Sequence, residues 1–211
     1  MPMSIGWQTW TLFLVSMTAL CLTPGPAVLL VVSQGLTRGA LASLWSNLGI
    51  LAGNTTYFVL SATGLGAIIA TSYRLFTVIR WAGAAYLIAL GVATFTGRSK
   101  VLAVGPASPE RGAGRMFANG FVLQAGNPNS LVFFTAFVPQ YIDPAGNVPM
   151  QVAVLAVTTV VVEFFVLAGY GVLAGRASGF AARPEFATVT NRIAGSLLIG
   201  AGASTLALRR T

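Results

Sequence analysis

The sequence predicts an all-α integral membrane protein of about six transmembrane helices, arranged as two inverted three-helix halves with broken helices in spans 1 and 4. Three observations carry that expectation. The chain is 55% hydrophobic and 8% charged, with a mean hydropathy of +0.80, whereas a soluble domain carries about 25% charged residues. Six apolar runs approach the roughly 20 residues that cross a hydrocarbon core. The first run of each half is interrupted by proline, the sequence pattern of a discontinuous transport helix.

The same composition excludes much chemistry. With no histidine and one cysteine in 211 residues, the chain can build no Ser-His-Asp triad, histidine metal cluster or intrachain disulfide, and no cofactor is expected. The net charge of +8 comes from Lys and Arg that fall almost entirely between the apolar runs. Such residues orient a membrane protein rather than bind nucleic acid. Met1–Gly6 has no Lys or Arg and the run from Trp7 leads into further apolar sequence, so no cleavable signal is expected. Cys21 reads as a reduced, buried thiol.

The runs are Trp7–Val32, Leu41–Ala70, Leu75–Phe95, Met116–Tyr141, Met150–Gly175 and Ile193–Leu208. The second is long enough to tilt, and the last is short. They form a single transporter domain over 1–211: half one at about 1–96, a Gly/Pro-rich cytoplasmic loop at about 97–115, and half two at about 116–211. Loops after spans 1, 3 and 5 hold Arg38, Arg98, Lys100, Arg111, Arg115, Arg176, Arg183 and Arg192, against Arg74, Arg80, Arg209 and Arg210 on the other side. Eight against four places the odd loops in the cytoplasm and both termini outside. Three spans per half require the halves to be inverted if they are repeats.

Span 1 breaks at Thr23-Pro24-Gly25-Pro26 and span 4 at Gly126-Asn127-Pro128-Asn129. Proline removes a backbone donor and clashes one turn back. Freed backbone groups survive in a membrane only inside protein or beside a watery cavity. Pro26 suits the first position of a restarted helix with Thr23 or Gly25 near the cap, and Asn127-Pro128 reads as a cap followed by that position. Each restart offers unpaired N–H groups and a positive dipole end to a carboxylate. Thr23, Pro24, Gly25, Pro26, Asn127, Pro128 and Asn129 are therefore candidate substrate-binding residues.

Glu163 is the one charged residue of span 5, thirteen residues from one end and twelve from the other. A carboxylate at that depth is costly unless paired or hydrated, which marks it as a candidate proton carrier or ligand for an ammonium group. Thr159 and Tyr170, four residues before and seven after, share its helix face. Tyr170 joins Glu163 as a proton-coupling candidate. In span 2, Ala42, Ser46, Gly49 and Gly53 make a small-residue packing stripe. Asn47 and Asn54, seven apart, either line a polar cavity or bond between helices; both are carried as substrate-binding candidates. Gln34, Gln124 and Gln140 are expected near the interfaces without a role, and Trp7, Trp10 and Tyr141 as interfacial anchors.

The chain resembles the LysE/RhtB family of amino-acid exporters along nearly its whole length. The resemblance is carried by Thr23-Pro24-Gly25-Pro26, Gly35, Gly39, Gly49, Gly53, Gly64-Leu65-Gly66, Trp81-Ala82-Gly83-Ala84-Ala85-Tyr86-Leu87 and Gly91. It continues through Asn119-Gly120-Phe121, Asn127-Pro128, Phe133-Phe134, Pro139-Gln140-Tyr141, Asn191-Arg192-Ile193-Ala194-Gly195 and Ile199-Gly200-Ala201-Gly202. The resemblance implies export of small amino acids or related metabolites across the bacterial inner membrane, driven by the proton-motive force. Members commonly carry Asn-Pro-Lys where this chain has Asn127-Pro128-Asn129, and often an acidic residue, frequently Asp, at the approximate place of Glu163. Loss of that lysine shifts the burden of holding a carboxylate to backbone N–H groups.

The resulting expectation is a secondary transporter, not an enzyme, working by proton antiport and alternating access. Its partners are a small-molecule substrate, protons and the lipid bilayer, with homo-oligomer formation left open. Two alternatives stand beside it. A passive channel would show polar periodicity along several spans, and an enzyme acting on a lipid-linked substrate would need a nucleophile, acid–base pair or metal near one interface.

Overall fold

The computed structural model describes residues 5–62, 73–96, 98, 112–127, 130, 133–143, 145–177 and 184–207. All regular structure among them is helical: α1 Trp7–Leu22, α2 Pro26–Arg38, α3 Ala40–Ala62, α4 Tyr73–Phe95, α5 Ala113–Ala125, α6 Val148–Arg176 and α7 Pro184–Ala207. A π-helical turn, Phe133–Phe137, and a 3-10 turn, Val138–Tyr141, lie between α5 and α6.

The chain's punctuation sets these ends. Prolines at 24 and 26 separate α1 from α2, and the two helices meet at 54°. Gly39 then turns the chain into α3 at φ +88, a conformation that side chains with a Cβ rarely adopt. Asn147 caps α6 by accepting the Met150 N–H at 3.1 Å, with Pro149 in the first turn.

By length and composition, α6 is the one described helix that could cross a membrane alone; α1 and α2 pass the same test as a bent pair. Large apolar side chains such as Leu12, Leu41, Phe165 and Leu173 face outward. Lipid, unlike water, imposes no cost on such a surface.

Inside are two large apolar clusters and a small one around Leu36 and Ala174. Of the large ones, one is aliphatic and draws on α2 to α7: Leu30, Ile50, Leu87, Leu123, Leu167 and Leu198. The other is rich in aromatics and joins α1, α3, the π turn and α6 through Phe13, Met17, Phe58, Phe134 and Leu155. Glycine lets the helices approach. A Cβ on Gly91 would lie 2.8 Å from the Gly195 carbonyl oxygen, and one on Gly195 would lie 2.7 Å from that of Gly91. Between α3 and α5, a Cβ on Gly49 would collide with the Phe117 carbonyl and one on Gly120 with that of Ser46. The small-residue stripe of span 2 is thus a packing seam, as its spacing indicated.

Several expected boundaries move. The last helix starts at Pro184 rather than Ile193, because Asn191 and Arg192 depress hydropathy without interrupting the helix. Arg38, Arg115, Arg176 and Arg192 stand within α2, α5, α6 and α7, and Arg74 within α4, rather than in loops. Lys100, Arg111, Arg183, Arg209, Arg210, Gly64-Leu65-Gly66 and the end of the second run at 63–70 lie outside the described residues.

Candidate functional site

A cavity of about 310 Å³ lies where the two large clusters meet, with Met17 from the aromatic one and Val28 and Leu167 from the aliphatic one in its wall. Thr23, Pro24, Gly25 and Pro26 from the first break line it, as do Asn127 and Ser130 from the second. Asn54, Gln124 and Glu163 complete its polar lining, beside Cys21 and Phe133.

At the first break, backbone groups freed by proline are reclaimed one by one. The Thr23 N–H donates to the Leu20 carbonyl at 3.1 Å and its hydroxyl to that of Ala19 at 3.0 Å. From α6, the Tyr170 hydroxyl reaches the Leu22 carbonyl at 2.9 Å. Helix α2 then restarts from an extended Gly25 with Pro26 at its first position, and no side chain caps it. The early N–H groups of a helix have no partner within it. Here they belong to Ala27 and Val28, both in the cavity wall.

The second break is answered from the other half of the chain. Helix α5 ends at Ala125, whose carbonyl accepts the Tyr57 hydroxyl of α3 at 2.7 Å. Asn127 donates its N–H to Gln124 at 3.1 Å, and its carbonyl accepts that of Ser130 at 3.0 Å. Asn127 and Ser130 are both buried; Pro128 and Asn129 lie outside the described residues.

These tyrosines make a direct test of the breaks. Tyr57→Phe is expected to leave the Ala125 carbonyl unpaired at a cost of about 1–3 kcal/mol. Tyr170→Phe should cost less, because the Leu22 bond lies on the exposed side. Thermal unfolding of each variant in lipid nanodiscs, against wild type, measures both.

Glu163 sits mid-way along α6 and is buried. The Asn54 amide nitrogen donates to its Oε2. In turn, the Gln124 amide nitrogen donates to Asn54 Oδ1 at 2.7 Å. This chain of side-chain bonds ties α5 through α3 to α6 at the cavity. Gln124 and Gln34 are both buried within the protein. Hydropathy conceals both; the face of α5 that meets α3, where Gln124 stands one turn beyond Gly120, becomes evident only in the packed structure.

Asn47 and Tyr170 are not in the cavity wall. The Asn47 amide donates to the Phe164 carbonyl at 3.1 Å, tying α3 to α6. Tyr170 is engaged at the end of α1. Thr159 is fully buried, with no hydrogen-bond partner for its hydroxyl among the described residues. Cys21 is half-buried and free.

The described helices gather the residues around Pro24–Pro26, Asn127 and Glu163 at one largely apolar cavity, and comparison with known proteins gives the family. Residues 18–208 match the family described as LysE type translocator, and the chain belongs to that family of membrane transport proteins. It is 33% identical to an uncharacterized membrane protein of Vibrio cholerae serotype O1, over 92% of this chain and 95% of the relative. Identity is 31% with the homoserine/homoserine lactone efflux protein of Salmonella typhimurium, over 95% and 96% of the two chains. It is 30% with the leucine efflux protein of Salmonella choleraesuis, over 90% and 91%. No solved structure matches.

Proposed function

We propose that this protein exports small amino acids or related metabolites from the cytoplasm across the bacterial inner membrane in exchange for protons. One observation carries the reading above all: a single cavity gathers both helix breaks and the lone mid-helix carboxylate, Glu163. The substrate carboxylate meets the uncapped start of α2 and the second break, where helix N-termini favour negative charge. Its ammonium group faces the Asn54–Gln124–Glu163 side. A volume of about 310 Å³ is at the small end for ligand pockets, which run from about 300 to 1,000 Å³. The names of the relatives make homoserine, its lactone and leucine the first substrates to test.

Glu163 couples the two fluxes. Ionised, it accepts the substrate ammonium from the cytoplasm; proton entry from outside discharges it and releases the substrate. Six spans in two inverted halves rock around the site, with odd loops in the cytoplasm and both termini outside. The inverted arrangement is supported by exchange between the halves. Tyr57 closes the broken end of α5 while Tyr170 closes that of α1, and Gly91 and Gly195 meet reciprocally, as symmetry mates do across an axis.

The test is amino-acid efflux from bacterial cells preloaded by dipeptide feeding, comparing wild type with empty vector. Wild type is expected to speed the appearance of homoserine or leucine in the medium, and an uncoupler to abolish the gain. Rates equal to the vector for every amino acid would overturn the export reading. Uncoupler-insensitive flux without counterflow would point to a channel.

A further inference from the structure

We propose that Gln124 reports the proton state of Glu163 to the cavity by reversing its side-chain amide, presenting a hydrogen-bond acceptor when Glu163 is ionised and a donor when it is protonated. The inference rests on the proposed role of Glu163 as proton carrier and extends it to a residue that sequence patterns leave without a role.

The argument starts from what each group can offer. An ionised carboxylate only accepts hydrogen bonds, whereas a side-chain amide has a donating NH2 at one side and an accepting oxygen at the other. Facing ionised Glu163, Asn54 must present its NH2, and it does. Its oxygen is then turned to Gln124, which must answer with its own NH2, and it does, at 2.7 Å. That leaves the Gln124 oxygen, which has no hydrogen-bond partner among the described residues, on a buried side chain in the cavity wall. A buried acceptor without a donor is a costly arrangement. A substrate ammonium would satisfy it once the side chain turns this closed-off oxygen into the cavity that Gln124 lines.

Protonation on Oε2 inverts the logic. The new O–H needs an acceptor, and it finds one in the group already bonded to that oxygen, Asn54, if that amide turns. Rotation of the Asn54 amide turns its oxygen to the carboxyl and its NH2 to Gln124. Gln124 must then rotate in the same sense, accepting from Asn54 and turning its NH2 to the cavity. An acceptor suited to an ammonium becomes a donor that opposes one, so proton entry and substrate release become one event. No bond is made or broken except that to the incoming proton.

The surroundings leave one uncommitted titratable group beside this circuit, the Cys21 thiol in the same cavity wall. Titratable groups on elements packed around Glu163 are Cys21 on α1 and Tyr57 on α3, with Tyr170 on α6 itself. Tyr57 and Tyr170 are committed to the carbonyls of Ala125 and Leu22. The cations of the two remaining neighbours, Arg38 on α2 and Arg115 on α5, sit at the ends of those helices away from the cavity.

pH-difference infrared spectroscopy of the full-length protein in lipid, with glutamine side-chain carbonyls labelled by carbon-13, tests this without any substrate. The expected result is a protonated-carboxyl band that grows as pH falls and is lost in Glu163→Gln, accompanied by a shifted glutamine carbonyl band lost in Glu163→Gln and Gln124→Met. Asn54→Leu, which cuts the circuit at its middle, should also remove the glutamine shift, so the test does not depend on one variant folding. A carboxyl band that titrates while the glutamine bands stay still would overturn the inference and leave proton antiport intact. That would be the outcome if the proton sat on the other oxygen with Thr159 as its acceptor. Absence of any titrating band assigned to Glu163 would overturn both.

Discussion

Glu163→Gln is expected to reduce net efflux from preloaded cells to the level of the empty vector and to make the residual flux insensitive to an uncoupler, while exchange of labelled for unlabelled substrate persists. Glutamine has nearly the shape of glutamate and keeps an oxygen for the Asn54 amide. It cannot take up or release a proton. Net export against a gradient needs the empty carrier to return with a proton, whereas exchange returns it with substrate and needs none. Measuring both at matched membrane expression separates a coupling residue from a structural one. Loss of both modes would mean that the negative charge is required to hold the substrate; retention of both would move the proton site elsewhere.

This division of labour follows from where the carboxylate stands. A carboxylate inside a membrane is expensive unless it is bonded, and here the group that donates to its Oε2 is a neutral amide, Asn54, not a cation. A fixed cation beside Glu163 would hold it ionised through the whole cycle. In the proposed exchange, a neutral partner would leave its charge to be balanced in turn by the substrate ammonium and by the proton.

Much of this was legible in the sequence, for physical reasons that differ by residue. Proline breaks announce themselves because no neighbour can restore the lost N–H, and the bend between α1 and α2 falls where Pro24-Gly25-Pro26 put it. Glu163 stands out because a charge among apolar residues is rare. Small-residue spacing marked one face of α3 for close packing, but only the structure names α5 as the partner. Gln124 stayed hidden because an amide carries no charge and an isolated glutamine is equally at home at an interface; its role depends on Asn54, distant in sequence. Asn47 and Asn54 share a helix face, yet one reaches the Phe164 carbonyl and the other Glu163. Periodicity fixes a direction, and only the packed neighbour fixes the partner. The start of α7 at Pro184 was obscured because hydropathy records polarity, whereas Asn191 and Arg192 interrupt no backbone hydrogen bond.

The α3–α5 seam yields the second large effect. Gly120→Ala is expected to lower stability by about 3 kcal/mol, the upper end for overpacking, and to impair transport beyond what that loss explains. The added Cβ would meet the Ser46 backbone carbonyl, and across the same seam Gly49 faces that of Phe117. No rotamer change relieves a contact between a Cβ and a main chain, so the helices must part, and a single methyl should produce nearly the whole effect of a larger side chain. One turn further on, a Cβ at Gly53 would already lie 3.0 Å from the Gln124 Cβ. Separation there stretches the 2.7 Å bond from Gln124 to Asn54 and with it the link to Glu163. Gly169→Ala at an exposed position of α6, where an added Cβ meets nothing within 4 Å, should be neutral or slightly stabilising, because alanine is the better helix former. Thermal unfolding in nanodiscs gives the stability difference, and efflux per folded molecule gives the rest. If Gly120→Ala unfolds like Gly169→Ala, the seam yields more readily than its geometry implies. If it is destabilised but exports normally once folded, the polar circuit does not depend on the seam.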